Sequence, residues 1–235
     1  MCYLLGLDPS LAKTGYAILN LKDLSNNIPV EKGLLKTSNS DGILIQRLLK
    51  QQKQIQGIIK KYDITYVGME APYFGGHTAE ILFSLNQFIH KTFYDRGSYV
   101  IAFPPQMLKK LVFPDKSVSD IHKPQMIHEA KSKLDLHGKT LAEDVADAYW
   151  AGYFGKKYIN WHIFNTINDS DLNAYEKTTF FGKHTYTRGA RKGLVEYNGI
   201  KFRDNELFFD FKAIKRRHKN AKSKGCKEKG SNKAS

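Results

Sequence analysis

Two short apolar runs each end in a carboxylate, and in both the residue two positions earlier is glycine: Tyr3-Leu4-Leu5-Gly6-Leu7-Asp8 and Tyr66-Val67-Gly68-Met69-Glu70. Side chains alternate across a strand, so Gly6 shares a face with Asp8, and Gly68 with Glu70. A carboxylate placed where a buried strand emerges is costly unless it is paired or binds a cation. If the two strands are parallel neighbours, their glycines form a shallow floor beneath both acids, on which another element can pack closely.

A third segment supplies that element. Asp144, Asp147, Ala148, Ala151 and Gly155 recur at i, i+3, i+4, i+7 and i+11, one narrow stripe of a helix. Its small residues let the helix lie low and carry both aspartates to the strand ends. Asp8, Glu70, Asp144 and Asp147 then converge, and hard divalent cations with oxygen ligands are the natural partners for such a cluster. Two such ions activate a water and stabilise the attacking and leaving oxygens of a phosphodiester, so hydrolysis of a nucleic-acid backbone suits the constellation. Taken singly, each acid also has a plain reading: Asp8 ends a strand, and Asp144 and Asp147 favour a helix N-terminus through its dipole. The conjunction of strand ends, glycines and helical spacing favours the metal site.

The remaining pattern places these pieces in an α/β frame. Apolar runs mark strands at about 2–8, 14–21 and 30–37, whose short connections predict an antiparallel meander. Ile43, Leu44, Leu48, Ile55, Ile58 and Ile59 predict an amphipathic helix over 41–62, roughly 30 Å long. A strand at 64–69, a helix at 78–95 and a strand at 98–103 continue with the alternation expected of parallel pairing. Short helices follow at 105–112 and from Pro124 to about Leu134, the latter with proline in its first turn. Thr140-Leu141-Ala142-Glu143 has capping-box spacing and opens a helix running to about Phe154, before Gly155. Beyond it, 178–187 and 193–211 read as strands, and Asn198-Gly199 suits a type I′ hairpin turn between Val195 and Phe202.

Length and charge bound the rest. A chain of 235 residues buries a substantial core, so one domain with an appendage is expected: 1–155, an extension at 156–211, and a tail at 212–235. No run of 18 apolar residues and no leader-like N-terminus is present, which points away from a membrane and toward the cytoplasm. Cys2 and Cys226 offer neither a disulfide framework nor a zinc site, in keeping with a reducing compartment. The net charge of +14 is mostly tail: residues 212–235 carry 10 Lys/Arg against 1 Asp/Glu, whereas 1–155 carry 18 against 15. Lys215-Arg216-Arg217 and their neighbours therefore predict a disordered basic segment contacting polyphosphate. Nucleic acid is favoured over membrane because almost nothing apolar follows Ile214; a solubility tail is the plainer alternative. In the extension, Phe180-Phe181, Tyr186, Arg188, Arg191, Lys192, Tyr197 and Phe202 read equally as a DNA-binding layer or as a half-buried antiparallel sheet. His162 and His184 are isolated, which favours an exposed or hydrogen-bonded histidine over a ligand.

Leu5-Gly6-Leu7-Asp8-Pro9-Ser10 with Thr14-Gly15-Tyr16, then Gly68-Met69-Glu70, then Asp144-Val145-Ala146-Asp147-Ala148 resembles the RuvC-type Holliday junction resolvases of the ribonuclease H-like superfamily, over about residues 2–155 and in the same order and spacing. The resemblance implies a five-stranded mixed sheet, its first three strands antiparallel and then two parallel, with helices on both faces; the β-rich C-terminal extension read from the residues lies beyond it. It implies a homodimer that nicks opposite strands of a four-way DNA junction. It implies Asp8, Glu70, Asp144 and Asp147 as catalytic ligands of Mg²⁺, two ions per site, with Mn²⁺ as a substitute. It also implies phosphate contacts from Lys109 or Lys110 and from Lys123, and stacking at the junction centre by Tyr73 or Phe74. Pro72 and everything after Gly155 depart from the family pattern.

Other functions fit less well. Actin-like and sugar-kinase ATPases share a Gly-x-Asp strand end followed by Thr-Gly, but need a duplicated domain and a second phosphate loop that this chain lacks. A non-catalytic nucleic-acid-binding protein on the same fold is opposed by the retention of all four acids. A nuclease for forks or RNA/DNA hybrids stays open on these residues. The helices at 41–62 and 78–95 are candidate dimer faces.

Overall fold

The computed structural model describes residues 2–71 and 79–180, together with the backbone of four short strands at 183–185, 195–197, 201–203 and 206–208. Its centre is a mixed sheet in the order β3-β2-β1-β4-β5. β1 (Tyr3–Asp8), β2 (Lys13–Asn20) and β3 (Glu31–Lys36) form the antiparallel meander, and β4 (Tyr66–Glu70) and β5 (Tyr99–Phe103) add in parallel, as expected. The register sets Gly6 beside Gly68 on one side and Ala17 on the other, and Asp8 opposite Gly15.

Period two then sends bulk to one face and small residues to the other. Leu5, Leu7, Ile18, Val67 and Met69 join α1 (Leu44–Tyr62) and α2 (Ala79–Tyr94) in a core with Leu48, Ile55, Leu85, Ile89 and Phe93. Each such side chain, taken fully from water, contributes about 1.5–3 kcal/mol. The opposite face, with Leu4, Gly6, Gly15 and Gly68, receives α5 (Glu143–His162). α3 (Pro105–Val112) buries Leu108 and Leu111, and α4 (Lys123–Lys133) buries Met126 and Ala130. Trp150 of α5 donates its indole N–H to the Met126 carbonyl at 3.1 Å, tying α4 to α5.

α5 departs from expectation at both ends. Its N-cap is Ala142 with no side-chain cap, so Thr140 does not form the expected capping box. It also runs through Gly155 to His162, because that glycine is a packing residue rather than a stop: a Cβ there would stand 3.1 Å from Gly68 Cα. The added turns are anchored by polar contacts. Lys156, buried, donates to the carbonyls of Asp23 (2.5 Å) and Asn26 (2.8 Å), and Asn160 donates to Leu21 (3.1 Å). One compact unit spans residues 1–180.

Residues 178–180 are helical where a strand was expected, in α6 (Ala174–Phe180). Its signal is a capping box: Asn173 Oδ1 accepts the Glu176 N–H at 2.8 Å and Glu176 Oε2 accepts the Asn173 N–H at 2.9 Å. Lys157 of α5 binds both oxygens of the same buried carboxylate, at 2.8 and 2.7 Å. In the second unit, taken by itself, β6 (Lys183–Thr185) pairs antiparallel with β7 (Val195–Tyr197), and β8 (Lys201–Arg203) with β9 (Glu206–Phe208). The turn of the expected hairpin between Val195 and Phe202 falls on residues that are not described. Asn198, Gly199 and the tail at 212–235 lie outside the described residues. Among the described residues no helix is long and apolar enough to cross a membrane.

Candidate active site

The glycine floor exists, and it is tighter than the pattern alone implied. A Cβ on Gly6 would collide with the Ala148 carbonyl and stand 2.8 Å from Gly152 Cα; one on Gly68 would collide with the Ala151 carbonyl. Gly15, opposite Asp8, lies directly under the Asp144 carbonyl, again with no room for a Cβ. Gly152 completes the contact from the helix side, where a Cβ would come within 3.0 Å of Gly6 Cα. Gly15 and Gly152 were missed by sequence reasoning, although both sit on faces that the periodicities assign to this contact.

Backbone-to-backbone packing delivers the first two turns of α5 to the ends of β1 and β4. There the acids act on one another through their charges. Burial first, then Glu70, Asp147 and Asp144, pushes the Asp8 carboxyl well above the usual carboxylate range, with Lys123 opposing. Burial and Asp147 likewise push Glu70 up, while Lys123 and Lys109 pull it down and Glu143 adds to the rise. Asp147, 8% exposed, is raised by burial against the opposing pull of Lys123. As placed, no three His, Cys, Asp or Glu side chains among the described residues stand close enough together to hold one ion. The acids thus interact through their fields and do not form a closed cage. The donor set is nevertheless all oxygen and destabilised by its own charge, which is the chemistry a hard divalent cation relieves.

Lys123, the first residue of α4, stands at the centre of this field. Its ammonium donates to Glu143 and, at 3.1 Å, to Asp147 Oδ2. Partial burial works against its charge, but the hydrogen bonds to Glu143 and Asp147 prevail and hold it above the ordinary lysine range. Glu143 is a fifth acid at the site, legible in the sequence only as a helix-start residue. Lys109 and Lys110, between which the sequence left the choice open, differ in their surroundings. Lys110 is engaged by the carbonyls of Pro114 and, at 2.8 Å, Lys116, with its ammonium 5.6 Å from the Tyr175 ring centroid. Lys109 is the one whose charge acts on Glu70. Tyr73, Phe74, Lys215, Arg216 and Arg217 lie outside the described residues.

The family described as "Crossover junction endodeoxyribonuclease RuvC" matches residues 4–151. A protein of that name from Endomicrobium trichonymphae is 26% identical over 185 residues, covering 76% of this chain and 91% of the relative. Another from Neorickettsia sennetsu is 29% identical over 113 residues, covering 46% and 66%. Among solved structures, Thermus thermophilus RuvC in complex with Holliday junction substrate superposes with a TM-score of 0.56 at 14% identity, covering 69% of this chain and 97% of that one, which supports the fold. The family match takes in nearly all of the sheet and α5 as far as Ala151, and on that span the chain belongs to the RuvC family of crossover junction endodeoxyribonucleases.

Proposed function

We propose that this chain is a metal-dependent, structure-selective DNA endonuclease that resolves four-way junctions by hydrolysing phosphodiesters. The observation that carries this reading is the packing of α5 onto Gly6, Gly15 and Gly68, which brings Asp144 and Asp147 into the field of Asp8 and Glu70 within the family-matched span. Asp8, Glu70, Asp144 and Asp147 are the residues that would hold Mg²⁺, two ions per site, with Mn²⁺ able to replace it. Bound there, the metal would supply an activated water and a counter-charge for the phosphate oxygens. Lys123 and Lys109 act as point charges for the backbone phosphates flanking the cut. Tyr73 or Phe74 stacks on bases at the junction centre, and the basic segment at 212–235, with Lys215, Arg216 and Arg217, adds sequence-independent phosphate attraction.

The working form is a homodimer in the cytoplasm, since paired nicks on opposite strands need two active sites. Ile43, Ile45 and Leu49, exposed at the start of α1, support that helix as a contact face. The test is cleavage of labelled four-way junction, fork, linear duplex and RNA/DNA hybrid, with Mg²⁺ or with EDTA. Junction is expected to be cut in preference to the others and only with metal; equal cutting of linear duplex, or activity surviving EDTA, overturns the reading. Asp8→Asn and Glu70→Gln are expected to bind junction and to lose cleavage by roughly 10³-fold or more, as when one member of a cooperative constellation is removed.

A further inference from the structure

The turn that follows Asp8 is held from beneath by a side chain to which the proposed metal site assigns no role. Gln51, in the middle of α1, is fully buried. Its Nε2 donates to the Ser10 carbonyl at 2.5 Å and to Thr14 Oγ1 at 2.8 Å, with the Leu11 carbonyl at 3.3 Å. Thr14, also fully buried, donates its hydroxyl to the same Ser10 carbonyl at 2.7 Å and accepts the Ser10 N–H at 3.1 Å. Thr37 closes the far side, its hydroxyl donating to the Leu11 carbonyl and its N–H to Ala12 at 3.1 Å, while Arg47 Nε donates to that hydroxyl at 3.2 Å. Residues 10–12 are therefore clamped through their own backbone groups, two positions from the Asp8 carboxylate.

Among the described residues the Gln51 Oε1 is buried with no hydrogen-bond partner, a destabilising arrangement that stands beside the donations its Nε2 makes to the turn. The amide is oriented so that its donors serve the turn and its acceptor is sacrificed. We infer that Gln51, acting through Thr14, is a positioning residue for the Asp8 turn: it transmits the placement of α1 to the carboxylate at the end of β1. This rests on the endonuclease reading, and it assigns a mechanical role to the helix on the face away from α5.

The test compares Gln51→Met, which keeps the length and removes the donors, with Thr14→Val, Thr14→Ser and the control Gln52→Met. Gln52 sits one residue along the same helix and donates to Thr92 at 2.9 Å, remote from the turn. Each full-length variant is assayed, at a temperature where circular dichroism shows it native, for single-turnover junction cleavage, for junction affinity in EDTA, and for Mn²⁺ binding without DNA by calorimetry. Gln51→Met and Thr14→Val are expected to lose about 10- to 100-fold in cleavage rate and in Mn²⁺ affinity, the scale seen when groups orienting a ligand are removed, with junction affinity unchanged. Thr14→Ser restores both, and Gln52→Met stays at the wild-type values. Equal behaviour of Gln51→Met and Gln52→Met, or a fall in junction affinity alone, overturns the inference. A wild type that binds Mn²⁺ but cuts no junction removes the endonuclease reading, and the titration then decides on Gln51 by itself.

Discussion

On one face of the sheet Leu5, Leu7, Val67 and Met69 meet α1 and α2 through bulky side chains; one residue along each strand, on the other face, Gly6 and Gly68 meet the backbone of α5. Side-chain packing of the first kind is adjustable, because rotamers shift to absorb small changes of volume. Backbone contact of the second kind has no such freedom, so it fixes the height of a helix to within a few tenths of an ångström. The acids are carried by the rigid contact. The adjustable contact, through Gln51, also reaches the turn after Asp8.

A single added methyl separates the two most sharply. Gly6→Ala would set a Cβ against the Ala148 carbonyl, backbone that cannot rotate aside, and is expected to cost about 3 kcal/mol or more, above the usual range for overpacking, and to abolish cleavage where the protein is still folded. Urea unfolding and junction cleavage check both; wild-type values would show that the floor is soft and that the two faces do not differ. Met69→Leu, a volume-conserving change on the opposite face, is expected to cost less than about 1.5 kcal/mol by the same measurement and to leave cleavage intact. Lost cleavage there would make the bulky face part of the site's geometry as well.

The smallest effect belongs to the edge of the bulky face. Lys61, Tyr62 (2.5 Å) and Tyr16 (2.9 Å) donate to Glu31 and pull its carboxyl down to about 2. A depressed folded pKa stabilises above the unfolded value, and that contribution is lost as pH falls through the folded one. Glu31 is 30% exposed and Lys61 59%, so solvent screening keeps the effect of Glu31→Gln to about 1 kcal/mol or less at pH 7. The difference from wild type should shrink as pH drops from about 4.5 toward 2; a difference that grows on acidification would show that Glu31 is not held as a carboxylate.

Much of this arrangement was legible before any coordinates. The five strands, the two long helices and the stripe of Asp144, Asp147, Ala148 and Ala151 follow from periodicity, and the family pattern covers the same residues. The errors share a cause. Gly155 was read as a helix stop because glycine ends helices through its backbone freedom, but here it serves close packing against Gly68. Thr140 has the spacing of a cap without its geometry, whereas the Asn173–Glu176 box that does form lay unread within a stretch whose aromatic texture predicted strand. Asn-Gly at 198–199 is a local turn signal on residues that are not described, and of the strands that flank it 195–197 pairs with 183–185 and 201–203 with 206–208.

The sequence by itself determined which side chains share a face: Gly6 with Asp8, Gly68 with Glu70, Asp144 with Asp147, because alternation along a strand and recurrence along a helix are properties of the local backbone. The tertiary structure alone decided that Gly6 pairs in register with Gly68, that α5 descends onto both, that the charge of Lys109 acts on Glu70, and that Gln51 holds the turn beyond Asp8. Those are relations between residues far apart in the chain, and they arise only when the elements pack together, which no local pattern encodes.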